Sequence, residues 1–271
     1  MEITLTAADG YSIGATTFGS GGRKVLIMPA TGVPQSYYAK FAAYLAERGF
    51  SVLTFDYRGI ARSRNGDIRK MAARMRDWAL LDAAAAFNHL SSDVLVVGHS
   101  FGGQALGLLP DLDRVRGALV VGSQSGDWGT LPASGKLGMW PTTHFALDGV
   151  TKLFGYFPGS RLGFGEDLPP GVAKEWAAWC RHPTYLVGAL GVADTYAKVR
   201  APFRAYAISD DPFAPLPAVE ALGRLYPNSR WETRRLAPRD VGVDSIGHFG
   251  FFRERFRDSL WREAADWLER Q

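Results

Sequence analysis

The sequence predicts an α/β fold in which a mainly parallel central sheet carries helices on both of its faces. Short β-favouring apolar runs alternate along the chain with segments whose apolar residues recur at helical spacing. Several of these runs are apolar throughout, as in strands that are buried on both faces of a parallel sheet. The 271 residues are 46% hydrophobic and 21% charged, which supplies the core of one large domain or of a domain with an insertion.

The elements follow from these patterns, beginning at the N-terminus. Two strands flank Ala8-Asp9-Gly10 and form a hairpin, and Gly49 ends the first helix. On the long helical pattern at 68–90, Asp77 and Asp82 are expected to face outward. The predicted strands are residues 2–6, 11–17, 24–28, 51–55, 94–97, 117–122, 203–208 and 230–236. The predicted helices are residues 37–48, 68–90, 172–180 and 256–270, and a helix-compatible segment spans 104–109.

The strand at 94–97 runs directly into Gly98-His99-Ser100-Phe101-Gly102. A turn from strand to helix in so few residues forces Ser100 into a strained conformation and leaves no room for side chains two positions before or after it. The hydroxyl would then stand at a helix N-terminus, where free N–H groups stabilise negative charge. A plain glycine-rich turn is the alternative in a chain with 31 glycines. The strand before, the segment after and the additional Gly103 favour a nucleophile elbow.

A serine hydroxyl needs a base to remove its proton and a third group to orient that base. Asp210 and Asp211 directly follow the strand at 203–208, and His248 lies between the strand at 230–236 and the last helix. The chain order Ser, Asp, His is the order that a G-x-S-x-G elbow predicts. The alternative for Asp211 is a turn residue before Pro212, and Asp210 is its rival for the orienting role. The alternative for His248 is a turn histidine between glycines.

The remaining parts of an acyl-transfer site are two backbone N–H donors for the oxyanion. The residue after the nucleophile, Phe101, supplies one donor. The loop Pro29-Ala30-Thr31-Gly32 after the third strand supplies the other, and the N–H of Thr31 is the candidate. His99 is expected to pack below the nucleophile. Without a cluster of His, Cys or carboxylate residues, the sequence predicts no metal site and no cofactor.

The alternation of strands and helices breaks between about residues 126 and 196, where glycine, proline and aromatic residues crowd together. We interpret 126–195 as an inserted cap (lid) domain and 1–125 with 196–271 as the core. The aromatic residues suggest a largely apolar substrate pocket between cap and core, or else they only fasten the cap to the core. The candidate pocket residues are Trp128, Trp140, Phe157 and Trp179.

Composition excludes several other classes of protein. The net charge of +4 comes from scattered Lys and Arg residues, without the basic stripe of a nucleic-acid-binding protein. A single cysteine, Cys180, cannot form an intramolecular disulfide and fits a reducing compartment. The N-terminus lacks the features of a signal peptide, and no apolar run approaches the ~20 residues of a membrane span. We therefore expect a cytoplasmic protein.

Together these motifs resemble the α/β-hydrolase superfamily of serine hydrolases over residues 24–125 and 200–271. The motifs are Gly98 to Gly103, Asp56-Tyr57-Arg58-Gly59 with Ser63, Asp211 with Pro215, and Gly247-His248 with Phe251. Because the family has a proline four residues after its acid, the resemblance favours Asp211 over Asp210. Members of this kind often carry His-Gly where this chain has Pro29-Ala30, a departure that bears on the shape of the oxyanion loop.

The resemblance implies an α/β-hydrolase fold with an inserted cap, and an esterase-like activity without cofactors. The catalytic residues would be Ser100, His248 and Asp211, with Thr31 and Phe101 as oxyanion donors. The expected substrate is a small to medium carboxylic ester with a largely apolar acyl group. The alternatives are acyl transfer to another acceptor, amide or peptide hydrolysis, and a ligand-binding protein of low turnover that keeps the fold. The segment from Asp56 to Ser63 is implied to shape the floor of the site.

Overall fold

A mostly parallel eight-stranded sheet forms the centre of the protein. The computed structural model describes residues 1–126, 128–130, 145 and 147–271, with the side chain of Trp128 left out. The strands are β1 (Glu2–Thr6), β2 (Ser12–Phe18), β3 (Arg23–Met28), β4 (Phe50–Phe55), β5 (Val94–His99), β6 (Val115–Val121), β7 (Phe203–Ile208) and β8 (Trp231–Leu236). They lie in the order β1-β2-β4-β3-β5-β6-β7-β8. The pairs β1–β2 and β2–β4 are antiparallel and the others are parallel, which confirms the predicted hairpin and sheet.

Apolar side chains fill both faces of this sheet. In β3, Leu26 and Met28 belong to one hydrophobic cluster, whereas Val25 and Ile27 belong to the other. This division explains why the strand is apolar at consecutive positions. The helices are α1 (Ala39–Glu47), α2 (residues 75–89), α3 (Phe101–Gln104), α4 (Leu147–Phe154), α5 (Gly159–Leu162), α6 (Pro170–Arg181), α7 (Tyr185–Leu190), α8 (Ala193–Lys198), α9 (Leu216–Gly223), α10 (Gly247–Gly250) and α11 (Arg262–Glu269). None of the helices described is long and apolar enough to cross a membrane.

Between β6 and β7 the chain forms a helical insert that contains α4 to α8. The sequence predicted only one helix there, at 172–180, which corresponds to α6. The other helices escaped detection because they are short: α4 has eight residues, α7 and α8 six each, and α5 four. The boundaries 126–195 remain a prediction, and α8 runs across the second of them.

The prediction of one helix over 68–90 is wrong in its first part. Residues 68–70 form a separate 3-10 turn, and α2 begins only at Met75, with a π-helical stretch at Trp78–Ala83 in its middle. Arg74 is extended, and its N–H donates to the Asp77 carboxylate at 2.7 Å. This local cap fixes the start of the helix, although the apolar periodicity continues upstream.

The prediction that Asp82 faces outward is also wrong. Asp82 is fully buried, and its carboxylate accepts hydrogen bonds from the backbone N–H and the Nε of Arg58, each at 2.8 Å. The Arg58 guanidinium, itself almost buried, also pairs with Asp9 at 2.7 Å. Burial raises the pKa of Asp82 to about 6, while the hydrogen bonds from Arg58 lower it. The pair fastens the loop after β4 to α2 in the interior.

Replacing Asp82 with alanine is expected to lower the free energy of unfolding by about 3–5 kcal/mol, because it leaves a buried guanidinium with incomplete compensation. Urea unfolding followed by circular dichroism measures this difference. The matched control is Asp113→Ala, since Asp113 is exposed; its expected change stays within about 0.5 kcal/mol. Equal effects of the two substitutions would contradict a structural role for the buried pair.

Candidate active site

The strand-to-helix turn after β5 has the strained geometry that its sequence predicts. Ser100 has φ 50° and ψ −114°, a backbone conformation that is rare for residues other than glycine. A Cβ on Gly98 would lie 2.5 Å from the Cα of Gly103, and one on Gly102 would lie 2.0 Å from the carbonyl oxygen of Met28. Glycine is therefore a steric requirement at both positions, because side chains there would collide with backbone.

Backbone pairing continues through the turn and fixes the position of Ser100. Its N–H donates to the carbonyl oxygen of Val121, the last residue of β6, at 2.9 Å. The turn therefore stands at the carboxyl edge of the sheet, next to Gly122. The side chain of Ser100 is partly accessible, whereas the following Phe101 is buried.

A buried carboxylate–imidazole pair lies at the same edge. His248 Nδ1 and Asp211 Oδ2 are 2.7 Å apart, and the two residues are 8% and 4% exposed. Asp211 follows β7 and His248 opens α10, so residues 37 positions apart in sequence are in direct contact. The other oxygen of Asp211 accepts the backbone N–H groups of Phe213 and Ala214 at 2.8 and 3.1 Å. These bonds fix the carboxylate in the orientation in which it meets the imidazole.

The neighbouring carboxylate, Asp210, has a different position. It accepts the backbone N–H of Ile246 at 2.9 Å and that of Gly247 at 3.1 Å. Asp210 thus holds the loop that precedes His248 instead of touching the imidazole. The two adjacent acids consequently contact different parts of the same histidine segment.

Gly122 is a part of this region that sequence reasoning missed. A Cβ on this residue would lie 3.1 Å from Asp211 Oδ2 and 3.1 Å from His248 Nδ1, and its φ is +57°. The backbone of Gly122 therefore forms the floor under the carboxylate–imidazole pair. The signal in the sequence was a glycine at the end of a buried strand, but the predicted strand included it without a role.

No hydrogen bond joins the hydroxyl of Ser100 with His248 Nε2 among the described residues. The two residues are nevertheless linked through His99, whose ring centroid lies 5.1 Å from that of His248. Hydrogen bonds between catalytic groups are often absent in unliganded enzymes and form when substrate binds.

The two candidate oxyanion donors are the N–H of Phe101, within the elbow, and the N–H of Thr31, in the loop after β3. The Ala30 N–H is occupied, since it donates to the hydroxyl of Tyr38 at 2.9 Å. The N–H groups of Thr31 and Phe101, in contrast, have no acceptor within the described part of the chain. A segment of the insert approaches the same loop, where the N–H of Glu166 donates to the carbonyl of Gly32 at 2.7 Å.

Two of the four aromatic residues that the sequence predicts for a pocket have side chains that the structure describes. Phe157 and Trp179 are each 2% exposed and pack in the larger hydrophobic cluster, a burial that the alternative of a fastened cap also explains. Trp140 and the side chain of Trp128 lie outside the described residues. A place for these residues in a pocket therefore stays a prediction.

Aromatic residues that the sequence did not single out flank the imidazole. The rings of Phe213 and Phe249 lie 5.2 and 5.0 Å from that of His248, centroid to centroid. They are 42% and 37% exposed, and Phe164, beside Gly32, is 40% exposed. The imidazole is thus bordered by accessible apolar surface. The described residues contain no group of three or more His, Cys, Asp or Glu residues that could hold a metal ion.

Comparison with known proteins agrees with this architecture. A model of the alpha/beta hydrolase family matches residues 25–260, which is most of the chain. The chain belongs to the alpha/beta hydrolase family. The predicted resemblance and fold class are thereby confirmed.

Solved structures of low sequence identity share the fold of this alpha/beta hydrolase. An esterase from Exiguobacterium antarcticum is 17% identical, with a TM-score of 0.67 over 99% of this chain and 100% of the other. A thermophilic esterase from Thermogutta terrifontis is 17% identical, with a TM-score of 0.65 over 100% and 98%. A bromoperoxidase from Bacillus anthracis is 15% identical, with a TM-score of 0.65 over 100% of both chains.

In this alpha/beta hydrolase the segment from Asp56 to Ser63 is a hydrogen-bonded turn that is buried except at Ala61 and Arg62. The Asp56 carboxylate accepts the backbone N–H and the side-chain amide of Gln35, each at 2.7 Å. The Ser63 hydroxyl donates to the backbone carbonyl of Asp56 at 2.7 Å and accepts the N–H of Gly14 at 2.8 Å. These contacts fasten the loop after β4 to the hairpin and to the segment after β3. A role of this loop in shaping the floor of the site stays a prediction.

Proposed function

We propose that the protein is a serine hydrolase that cleaves carboxylic esters with a small to medium, largely apolar acyl group. The observation that carries this proposal is the 2.7 Å contact between Asp211 and His248, at the sheet edge where Ser100 has its strained conformation. A carboxylate held by backbone N–H groups, an imidazole bonded to it and a serine on an elbow are the groups that nucleophilic acyl transfer requires.

The contact with Asp211 indicates which nitrogen of the imidazole carries a proton. A carboxylate oxygen can only accept, so Nδ1 of His248 is the donor, and in the neutral form of the ring Nε2 has a free lone pair. In the proposed reaction Nε2 takes the hydroxyl proton of Ser100 while Oγ bonds to the ester carbonyl carbon. The imidazolium then gives that proton to the leaving alcohol as the carbon–oxygen bond breaks. Water repeats the sequence and releases the carboxylic acid and the free serine.

The backbone N–H groups of Thr31 and Phe101 are the proposed donors to the oxyanion. Each such donor is worth about 3–4 kcal/mol of transition-state stabilisation. Since both are backbone groups, the Pro29-Ala30 pair that departs from the family pattern does not remove a donor. What matters is the orientation of the peptide between Ala30 and Thr31. Its carbonyl accepts the N–H of Val33 at 3.2 Å, and the hydrogen bond from the Ala30 N–H to Tyr38 holds the preceding peptide.

The accessible rings of Phe213 and Phe249 support an apolar substrate. Their position beside His248 offers contact to the hydrocarbon part of an ester whose carbonyl reaches Ser100. Acyl chains that extend over these rings would be bound more tightly than acetate. A series of p-nitrophenyl esters from acetate to decanoate measures this preference through kcat/KM.

Labelling with a fluorophosphonate probe tests the nucleophile directly. We expect covalent modification of the wild type at Ser100, located by mass spectrometry of the peptide, and no modification of Ser100→Ala. Folded wild-type protein that stays unlabelled would contradict the proposal. It would favour the alternative of a binding protein with low turnover.

The acceptor that removes the acyl group from the acyl-enzyme distinguishes hydrolysis from acyl transfer. With a p-nitrophenyl ester, added alcohols or amines compete with water for the acyl group, and product analysis shows which acceptor wins. Dominance of the free carboxylic acid at millimolar acceptor supports a hydrolase. Dominance of the transfer product identifies an acyltransferase on the same residues, and cleavage of anilides at rates similar to those of esters identifies an amidase.

A further inference from the structure

Three buried hydrogen bonds connect the oxyanion loop with the backbone of His248. The Ala30 N–H donates to the Tyr38 hydroxyl at 2.9 Å, and that hydroxyl lies 2.8 Å from His99 Nδ1. On the other side of the ring, His99 Nε2 lies 3.0 Å from the carbonyl oxygen of His248. We call this series the Tyr38–His99 bridge. Both of its side chains are fully buried, so water does not compete for these bonds.

The bonds of the bridge fit together in only one pattern of protons. The His248 carbonyl can only accept, so His99 Nε2 must carry a proton. Burial and the adjacent His248 hold the pKa of His99 well below its usual value, which keeps the ring neutral and Nδ1 unprotonated. Nδ1 therefore accepts from the Tyr38 hydroxyl, whose oxygen remains free to accept from Ala30. Every donor in the series has one acceptor.

The bridge passes next to the nucleophile, because His99 is the residue before Ser100. One end of the bridge contacts the oxyanion loop at Ala30, one residue before Thr31. The other end contacts the backbone carbonyl of His248. The rings are also held by packing, since Tyr38 and His99 lie 4.9 and 5.1 Å from Phe252, centroid to centroid. The aromatic packing alone does not define the orientation of the polar atoms, whereas the hydrogen bonds do.

We propose that Tyr38 and His99 are positioning residues that set the His248 imidazole and the Thr31 peptide relative to Ser100. This inference rests on the proposed function and extends it to two side chains outside the catalytic set. Loss of the bridge would leave the carboxylate–imidazole pair intact but free the histidine backbone and the oxyanion loop to move independently. Misplacements of about 1 Å in such groups cost about 10²-fold in rate.

Tyr38→Phe removes the hydroxyl and keeps the ring. We expect kcat for p-nitrophenyl butyrate to fall by about 10- to 10²-fold with KM nearly unchanged, since the substrate contacts remain. The matched control is Tyr44→Phe on α1, the helix that directly follows Tyr38; the Tyr44 hydroxyl contacts Arg48 away from the site. Its kcat is expected to equal that of the wild type. Equal kcat in both variants and the wild type would overturn the bridge.

Substitutions of His99 test whether polarity rather than volume matters. Glutamine offers both a donor and an acceptor, whereas phenylalanine fills a similar space with neither. We expect His99→Gln to exceed His99→Phe in kcat by about tenfold, the effect of one retained hydrogen bond. Circular dichroism establishes that both variants are folded. If both lose activity equally while folded, the residue acts through packing and the proposal fails.

Nitrogen NMR of the imidazole rings gives a readout that does not depend on turnover. In the wild type we expect the His99 proton on Nε2, and in Tyr38→Phe we expect the Nδ1 resonance to move towards that of a non-bonded ring nitrogen. A wild-type proton on Nδ1 overturns the bridge even where Tyr38→Phe does not fold.

If the wild type neither cleaves esters nor reacts with a fluorophosphonate, the proposed function fails. The shift of the His248 ring resonances in Tyr38→Phe then still decides whether the bridge positions that ring.

Discussion

Ser100→Ala is expected to lower kcat for a p-nitrophenyl ester by about 10⁵- to 10⁶-fold, the scale of losing the nucleophile of a cooperating triad. The substitution removes the only atom that can form the acyl-enzyme in the proposed reaction. Oxyanion donors and substrate binding remain, so a residual acceleration of about 10³- to 10⁴-fold over water is expected. Burst kinetics with the wild type and steady-state rates with the variant measure the difference.

The control for this result is Ser123→Ala. Ser123 is a buried serine just beyond the neighbouring strand β6, and among the residues that the structure describes its hydroxyl makes only marginal contacts, at 3.5 Å, with two backbone carbonyls. Its loss is expected to leave kcat near the wild-type value. Full ester turnover by Ser100→Ala would refute the assignment of the nucleophile, whatever the behaviour of the control.

Asp211→Asn is expected to lower kcat by about 10⁴-fold with little change in KM, the scale of converting such a carboxylate to an amide. The oxygen of the new asparagine can still accept the N–H groups of Phe213 and Ala214, as Oδ1 of Asp211 does. Its NH2 group then faces His248 Nδ1. An imidazole that accepts there carries its proton on Nε2 and cannot deprotonate the serine. Rates measured with an activated ester quantify the loss.

Asp210→Asn is the matched comparison, because it alters the adjacent acid in the same way. An amide oxygen at this position still accepts the N–H groups of Ile246 and Gly247, so a loss of about tenfold or less is expected. If Asp210→Asn were the more damaging of the two, the roles of the adjacent acids would have to be exchanged.

The parts of the molecule that could be predicted from sequence are those fixed by local sterics or by periodicity. The hairpin, the strand boundaries within two residues and the need for glycine around Ser100 depend on residues close together in the chain. Asp82 was misplaced because its burial depends on Arg58, 24 positions away, and no pattern within its own helix reports that partner. The start of α2 was missed because apolar residues continue at helical spacing upstream of it. The hydrogen bond from the Arg74 N–H to Asp77 nevertheless caps the helix at this point.

The residues of the candidate site also differ in whether local sequence signals could predict them. The chain order of Ser100, Asp211 and His248 could be interpreted because each follows a recognisable strand. The distinction between Asp210 and Asp211 came only from the resemblance, since adjacent residues have the same local signals. Tyr38 gave no signal at all, because its hydroxyl acts on a histidine 61 positions away. Contacts of this kind appear only when the sheet brings the loops together.

One residue of the insert, Glu166, is attached to two loops of the core. Its N–H donates to the carbonyl of Gly32 at 2.7 Å, and its carboxylate accepts the N–H of Ala61 at 2.8 Å. Lifting this segment away from the core would break both hydrogen bonds and free the carbonyl of Gly32, in the loop that also contains Thr31. If Thr31 is an oxyanion donor, as we propose, a ligand that displaced residues 164–168 on its way in would meet a less ordered loop than one that entered elsewhere around the insert.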